Sequence, residues 1–334
     1  MPDKETGTPA GKGLESGLIG KLAVLLTVLM VFLTACRQGT STVSEVEAAP
    51  GYSDSQIMLV VATERNRYRN VYTDRIWEVE VDNQGTTFQM YLLREIQSFL
   101  QELKMMNLLA DQQDLRLSGQ EKDRLEKLAE AFYDSLTEED RKYTGVDQTD
   151  VYELYCEYHR ANRLVDQLTQ DVNLEISDSE AKVIRVQEIL LSDGDQAQAV
   201  HDQAAAEGAD FSFLARSLSE KKEIERNVCR GEQSKAYEDV VFALEAGAVS
   251  PVIQEGQQYY IVKCINDYDV QATTERKQRL ATMRKNQAFR QIYDAFVAET
   301  PVEFTSEIWD RISLEDGAGS VTTDFFEKYQ EMMN

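Results

Sequence analysis

Between Ile184 and Cys264 the chain runs through a fixed succession of short elements, and this succession limits the folds open to it more than any other feature. It starts with a strand-like run, Ile184-Arg185-Val186-Gln187-Glu188-Ile189-Leu190-Leu191. A helix ending in Gly208-Ala209-Asp210-Phe211 follows, then Phe213-Leu214-Ala215-Arg216-Ser217-Leu218-Ser219. Arg230-Gly231 leads to Tyr237-Glu238-Asp239-Val240-Val241-Phe242-Ala243-Leu244, and Ala246 to Val252 leads to a closing strand, Tyr259 to Cys264. Strands at both ends with short helices between them predict a small α+β unit.

Long amphipathic stretches flank this unit. Phe88, Leu92, Ile96, Phe99, Leu103 and Met106 recur at helical spacing from Thr87 to Ala110. Ser118 with Glu121 forms a capping box that starts a second helix through Leu125, Leu128, Phe132 and Leu136. Thr137 with Asp140 marks another start, and Val151 to Leu168 continues the pattern. Arg75 to Val81 reads as a strand, separated from the first helix by the turn Asp82-Asn83-Gln84-Gly85. Past the central unit, Thr274 to Ala298 reads as a helix closed by Pro301, and Phe304 to Ile312 as a strand or short helix carrying Trp309. Apolar residues at helical spacing are usually core. Among them Met105, Met106 and Tyr91 are the positions to inspect for exposure.

The order and spacing of the central elements resemble the parvulin-type (PpiC, rotamase) peptidyl-prolyl isomerase domain. The whole plan resembles the extracytoplasmic foldases of the PrsA and SurA type. That resemblance implies a helical chaperone-like domain built from the N- and C-terminal segments, with a parvulin-like domain inserted. Its expected boundaries are 54–176 for the N-terminal helical part, 177–270 for the parvulin-like domain and 271–334 for the C-terminal helical segment. It also implies catalytic positions at Glu188, Tyr260 and Lys221, all substituted. Family members carry histidines where Glu188 and Tyr260 stand, and Cys or Asp near Lys221. Substrate-binding positions fall at Gln233, Tyr237 and Phe242, with Met and Phe usual near the first two. The family's glycine-rich segment is missing, and the loop from Glu220 to Cys229 is shorter.

Those substitutions bear on the chemistry. Rotation about a peptide bond faces a barrier of roughly 18–20 kcal/mol, and the bond before proline keeps a comparably slow step. Catalysis needs an apolar pocket for the ring and a polar network that favours the twisted amide. A Gln on the pocket wall costs about 1–3 kcal/mol if its amide is buried without partners. If Glu188 and Tyr260 face each other, the phenol can donate to the carboxylate and brace the strands. Alternatively Tyr260 is a half-buried strand aromatic and Glu188 a solvated edge residue.

The N-terminus reads as an address. Leu22 to Leu33 is an apolar run preceded by Lys12 and Lys21, too short to span a membrane and typical of a signal peptide. Leu33-Thr34-Ala35-Cys36 resembles a bacterial lipobox, which implies a signal peptide over 1–35 and a lipid on Cys36 that holds the protein to the membrane on its extracytoplasmic side. Residues 36–53 read as a flexible linker. Cys156, Cys229 and Cys264 show no metal-like spacing. A Cys229–Cys264 bridge and reduced thiols both remain open.

A net charge of -24 disfavours nucleic acid, and no basic patch with interleaved aromatics occurs. His159 and His201 are the only histidines and read as solvated helical residues, so no metal is expected. No phosphate loop, nucleophile elbow or dinucleotide fingerprint appears, and no cofactor is expected. The expected partners are unfolded or newly secreted proteins. Three functions fit: a folding factor with a weak or inactive isomerase domain, a fully active isomerase, and an assembly lipoprotein that holds one partner.

Overall fold

The computed structural model describes residues 47–49, 51–304 and 306–333. The signal peptide, the lipobox and Cys36 lie outside the described residues. The chain divides into two compact units, one formed by the segments up to Gln170 and from Phe289 onward, the other by Asp171–Ala288.

Within the spacer-like segment, β1 (Glu47–Ala49) is a short strand. Helix α1 (Asp54–Tyr72) follows, with Ser53 and Gln56 closing a capping box. The sequence reading missed this helix, for a physical reason. Ten residues from Gln56 to Asn66 are buried, polar ones included, so no apolar stripe stands out against a polar face. Arg75 to Val81 does not form the expected strand; Asp74–Glu78 is a 3-10 turn. Its Trp77 is buried and stacks on Phe88 at 6.1 Å, and this tertiary contact overrides local strand propensity. Only an isolated Glu80–Thr87 bridge remains around the turn, where Gly85 takes φ +80°.

Helices α2 (Phe88–Gln112), α3 (Gly119–Ser135), α4 (Glu138–Thr144) and α5 (Gln148–Thr169) complete this half. The capping pairs Ser118/Glu121 and Thr137/Asp140 both form. Met105 and Met106 are buried, whereas Tyr91 is 42% exposed.

The second unit opens with α6 (Asp178–Ala181) and the long strand β2 (Val183–Leu191). Next come α7 (Gly194–Ala204), α8 (Phe211–Leu218), β3 (Glu225–Cys229), α9 (Lys235–Val241), β4 (Ile253–Glu255) and β5 (Gln258–Asn266). The sheet is antiparallel in the order β3-β2-β5-β4, so β2 and β5 are central neighbours. Strand β2 is buried on both faces. Ile184 and Val186 join Tyr237, Val241, Phe242 and Val262 in one core. Ile189 and Leu191 join Val200, Phe211 and Ile261 in the other. Half of the expected 220–229 loop is therefore strand β3. Cys229 pairs with Val183 on one side of β2 and Cys264 with Val186 on the other. Two strand spacings of about 4.8 Å exceed the ~7 Å reach of a disulfide, and all three described cysteines are free.

Helix α10 (Val270–Glu299) leaves the second unit and brings Phe289 and Tyr293 into the core of the first. After it, β6 (Val302–Phe304) pairs with β1 in parallel, Glu307–Arg311 is a 3-10 turn, and α11 (Phe325–Met333) ends the described chain. Buried polar side chains hold this tail in place. Arg65 Nε donates to the Leu314 carbonyl at 2.7 Å, and Asn66 Nδ2 to the Thr322 carbonyl at 2.9 Å. The Tyr155 ring stacks on Phe325 at 4.1 Å, and its hydroxyl donates to the Phe325 carbonyl. His159 is buried rather than solvated, because α11 covers it: Nδ1 lies 2.7 Å from the Tyr329 hydroxyl and Nε2 3.2 Å from Glu121.

Candidate substrate-binding site of the second unit

Strand β2 carries Glu188 on the same face as Ile184 and Val186, so alternation points a carboxylate into an apolar core. Only 2% of the residue is exposed. An isolated buried carboxylate is costly unless paired and hydrogen-bonded, and the neighbouring strand supplies the partner. Arg226 on β3 stands opposite Val186, one step along the same face, and its guanidinium grips Glu188 in a fork at 2.7 and 2.8 Å. Helix α9 adds Tyr237, buried at 1% exposure, whose hydroxyl donates to the same carboxylate. Lys221, in the loop before β3, brings its ammonium to 3.7 Å.

The electrostatics follow from this saturation. Burial alone would raise the Glu188 carboxyl, but hydrogen bonds from Arg226 and Tyr237 and the charges of Arg226 and Lys221 outweigh it and hold the group below the usual carboxylate range. Tyr237 is pushed well above an ordinary phenol by burial and by the Glu188 charge. Arg226 is raised as well: burial opposes its charge, but the Glu188 hydrogen bonds outweigh that effect. The carboxylate therefore stays ionised across the neutral range.

Tyr260 does not donate to Glu188, contrary to the pairing considered from sequence. Register explains this: Glu188 stands directly across from Val262, while Tyr260 stands across from Leu190, a diagonal neighbour on the same face. The Tyr260 hydroxyl instead donates to Gln258 at 3.0 Å, and its ring packs edge-on against Tyr237 at 5.7 Å. Glu188 is no solvated edge residue either, since β2 is central.

The remaining positions sit close by. Phe242 is buried in the same core, and the Arg230 guanidinium covers its ring at 4.1 Å from the centroid. Gln233 is half-buried, and its backbone N–H donates to Glu238 at 3.0 Å, as does that of Gly231 at 2.7 Å. The structure thus brings Glu188, Lys221, Tyr237 and Tyr260 together and sets Phe242 in the adjoining core. Sequence reasoning missed Arg226. The signal was available in principle, because a Glu at the centre of an apolar strand requires a cation on an adjoining element. Reading 220–229 as loop hid it.

Chemically, the centre is a closed ion pair. It has no imidazole, and its polar groups are spent on one another. Among the described residues no group of His, Cys, Asp or Glu is arranged to hold a metal ion.

No curated protein matches the chain. Among solved structures it is similar to the foldase protein PrsA of Streptococcus pneumoniae, at 21% identity and a TM-score of 0.27, over 70% of this chain and 97% of that one. PrsA of Bacillus cereus, a peptidylprolyl isomerase, is similar at 16% identity and a TM-score of 0.37, over 75% and 98%. A SurA-like chaperone structure from Campylobacter jejuni is similar at 15% identity and a TM-score of 0.23, over 81% and 100%. Within the second unit, residues 192–266 match the Rotamase family, described as the PPIC-type PPIASE domain.

Proposed function

We propose that this chain is an extracytoplasmic folding factor that binds unfolded or newly secreted proteins, and that its parvulin-like unit binds without appreciable turnover. The observation that carries the second half is the saturated Glu188. Its carboxylate is neutralised by Arg226, capped by Tyr237 and flanked by Lys221, so the carboxylate at the centre of the unit is not free to act on a twisting amide. The first half is supported by the similarity of residues 192–266 to the Rotamase family and by their place between two segments of one helical core. Fold alone does not fix function, so the reading stands on these two features together.

In this reading residues 1–35 are a signal peptide, Cys36 carries the lipid, and the residues ahead of β1 tether the folded part to the outer face of the cytoplasmic membrane. Among the described residues no helix is long and apolar enough to cross a membrane. Cys36→Ala is expected to release the protein from the membrane fraction; retention there would remove the lipid anchor from the reading.

The central experiment pairs two assays on the full chain. Aggregation of an unrelated unfolded enzyme is expected to be suppressed, while cis/trans isomerisation of a proline tetrapeptide stays at the uncatalysed rate. Isomerisation well above background overturns the inactive-site reading. Failure to suppress aggregation overturns the folding role.

A further inference from the structure

An open cleft in the first unit, about 240 Å³ in volume, lies between the start of α1 and the segment 307–316. Its apolar lining is Met58 from α1 and Ile308 and Ile312 from the returning tail. Tyr143 of α4 forms one wall, and its ring is fixed from two directions. The Arg65 guanidinium lies 5.4 Å from its centroid, and Gly317 packs so closely that a Cβ there would come within 2.7 Å of the ring. The wall therefore exists before any ligand arrives. The volume lies below the ~300–1,000 Å³ of pockets that take whole organic ligands, and suits a single large side chain.

The rim is acidic. Asp54 and Asp316 border the cleft, and Glu307, Asp310 and Glu315 stand on the same tail segment. Among the described residues Arg311 is the one cation lining it, and it already sits 3.5 Å from Asp54. Asp316 is exposed and makes no ion pair among the described residues. This local excess has the same sign as the net charge of -24 on the whole chain, so long-range attraction and local contact favour the same partner.

We propose that this cleft is a docking site for extended, cationic client segments: a large aliphatic or aromatic side chain enters between Met58, Ile308 and Ile312, and a neighbouring Lys or Arg pairs with Asp316. The proposal deepens the folding-factor reading by naming the client class, and it rests on that reading for its biological setting. Apolar burial supplies affinity, and the acidic rim selects against anionic chains, which would set like charges side by side.

The test uses the full chain and two fluorescein-labelled, unstructured Gly/Ser peptides, one carrying Leu-Lys pairs and the other Leu-Glu pairs, with binding followed by anisotropy. The Leu-Lys peptide is expected to bind at least about tenfold more tightly, and Asp316→Lys to erase most of that difference. Asp316 is exposed, so the variant keeps its fold, which circular dichroism verifies. As a second variant, Ile312→Asp, which places a charge in the apolar lining, is expected to weaken both peptides. Equal affinities for the two peptides, or an unchanged Leu-Lys affinity in Asp316→Lys, overturn the proposal. Aggregation suppression by the unaltered chain separates the two levels. Suppression without peptide selectivity sinks the cleft and leaves the folding role, whereas selectivity without suppression does the reverse.

Discussion

Asp140 in the first unit and Glu188 in the second are both buried carboxylates, and they solve the same problem by opposite means. In the first unit Asp140 is 1% exposed and uses neutral donors only. One oxygen accepts from the Ser320 hydroxyl and the Val321 and Thr322 N–H groups at 2.7–3.0 Å, and the other from Thr137. In the second unit Glu188 relies on a guanidinium and a phenol. Asp140 joins a helix start to a tail some 180 residues away, so its charge is spent on closing the chain. Glu188 joins two adjacent strands and a helix, so its charge is spent on tying the centre of the second unit together.

The sharpest way to break this comparison is to remove the cation. Arg226→Met leaves the buried Glu188 with only the Tyr237 hydroxyl and the looser Lys221 contact and is expected to destabilise the second unit by about 3 kcal/mol in urea titration. Glu188→Leu in the same background is expected to recover most of that loss, since an apolar pair of similar volume avoids the desolvation cost. If the single variant is as stable as the parent, the ion pair has no structural role.

Asp140→Ala tests the other side. It removes the Asp140 half of the capping box at the start of α4 and strands the Ser320, Val321 and Thr322 donors, for an expected loss of about 3 kcal/mol with early release of the tail in hydrogen exchange. Loss of stability without faster exchange in 313–324 would show that the carboxylate serves only as a cap.

Acid acts on both sites in the same direction. For Asp140 burial would raise the carboxyl, but bonds from Thr137, Thr322, Ser320 and Val321 prevail and lower it; Glu188 is lowered as well. The unfolded chain therefore holds more protons below about pH 4, its ordinary carboxylate range, and stability rises with pH there. The contribution is complete above that range and is lost as pH falls through the depressed folded values. In a pH titration of the melting temperature these two groups are expected to contribute an acid limb below about pH 4. The Asp140→Ala and Glu188→Leu/Arg226→Met variants are expected to show a shallower acid limb.

The smallest effects separate the two tyrosines. Tyr237→Phe removes a donor to a buried carboxylate and is expected to cost about 1–2 kcal/mol. Tyr260→Phe breaks only an exposed bond to Gln258 and is expected to change stability by less than about 0.5 kcal/mol. The reverse ranking would restore the strand-brace idea and remove Tyr237 from the site.

How much of this could be read from sequence depended on whether the decisive contacts were local. The capping boxes at Ser118/Glu121 and Thr137/Asp140 span one helical turn, and both form as read. Strand β2 and the closing strand were visible in their β-branched and aromatic runs. Helix α1 was hidden because it is buried all round, and α11 because its apolar residues gain meaning only against Tyr155, Tyr158 and His159. In the site, Glu188, Lys221 and Tyr237 were visible through the family pattern, whereas Arg226 lay in a segment that looked like loop.

The sequence by itself determined the capping pairs at Ser118/Glu121 and Thr137/Asp140 and the strands that open and close the central unit, because caps, periodicity and residue identity are local properties of the chain. Tertiary structure alone decided which groups meet: that Arg226 and Tyr237 rather than Tyr260 satisfy Glu188, and that Asp140 gathers the distant tail. Those pairings depend on strand register and on the high cost of leaving a buried charge without a partner, and neither can be read along one dimension.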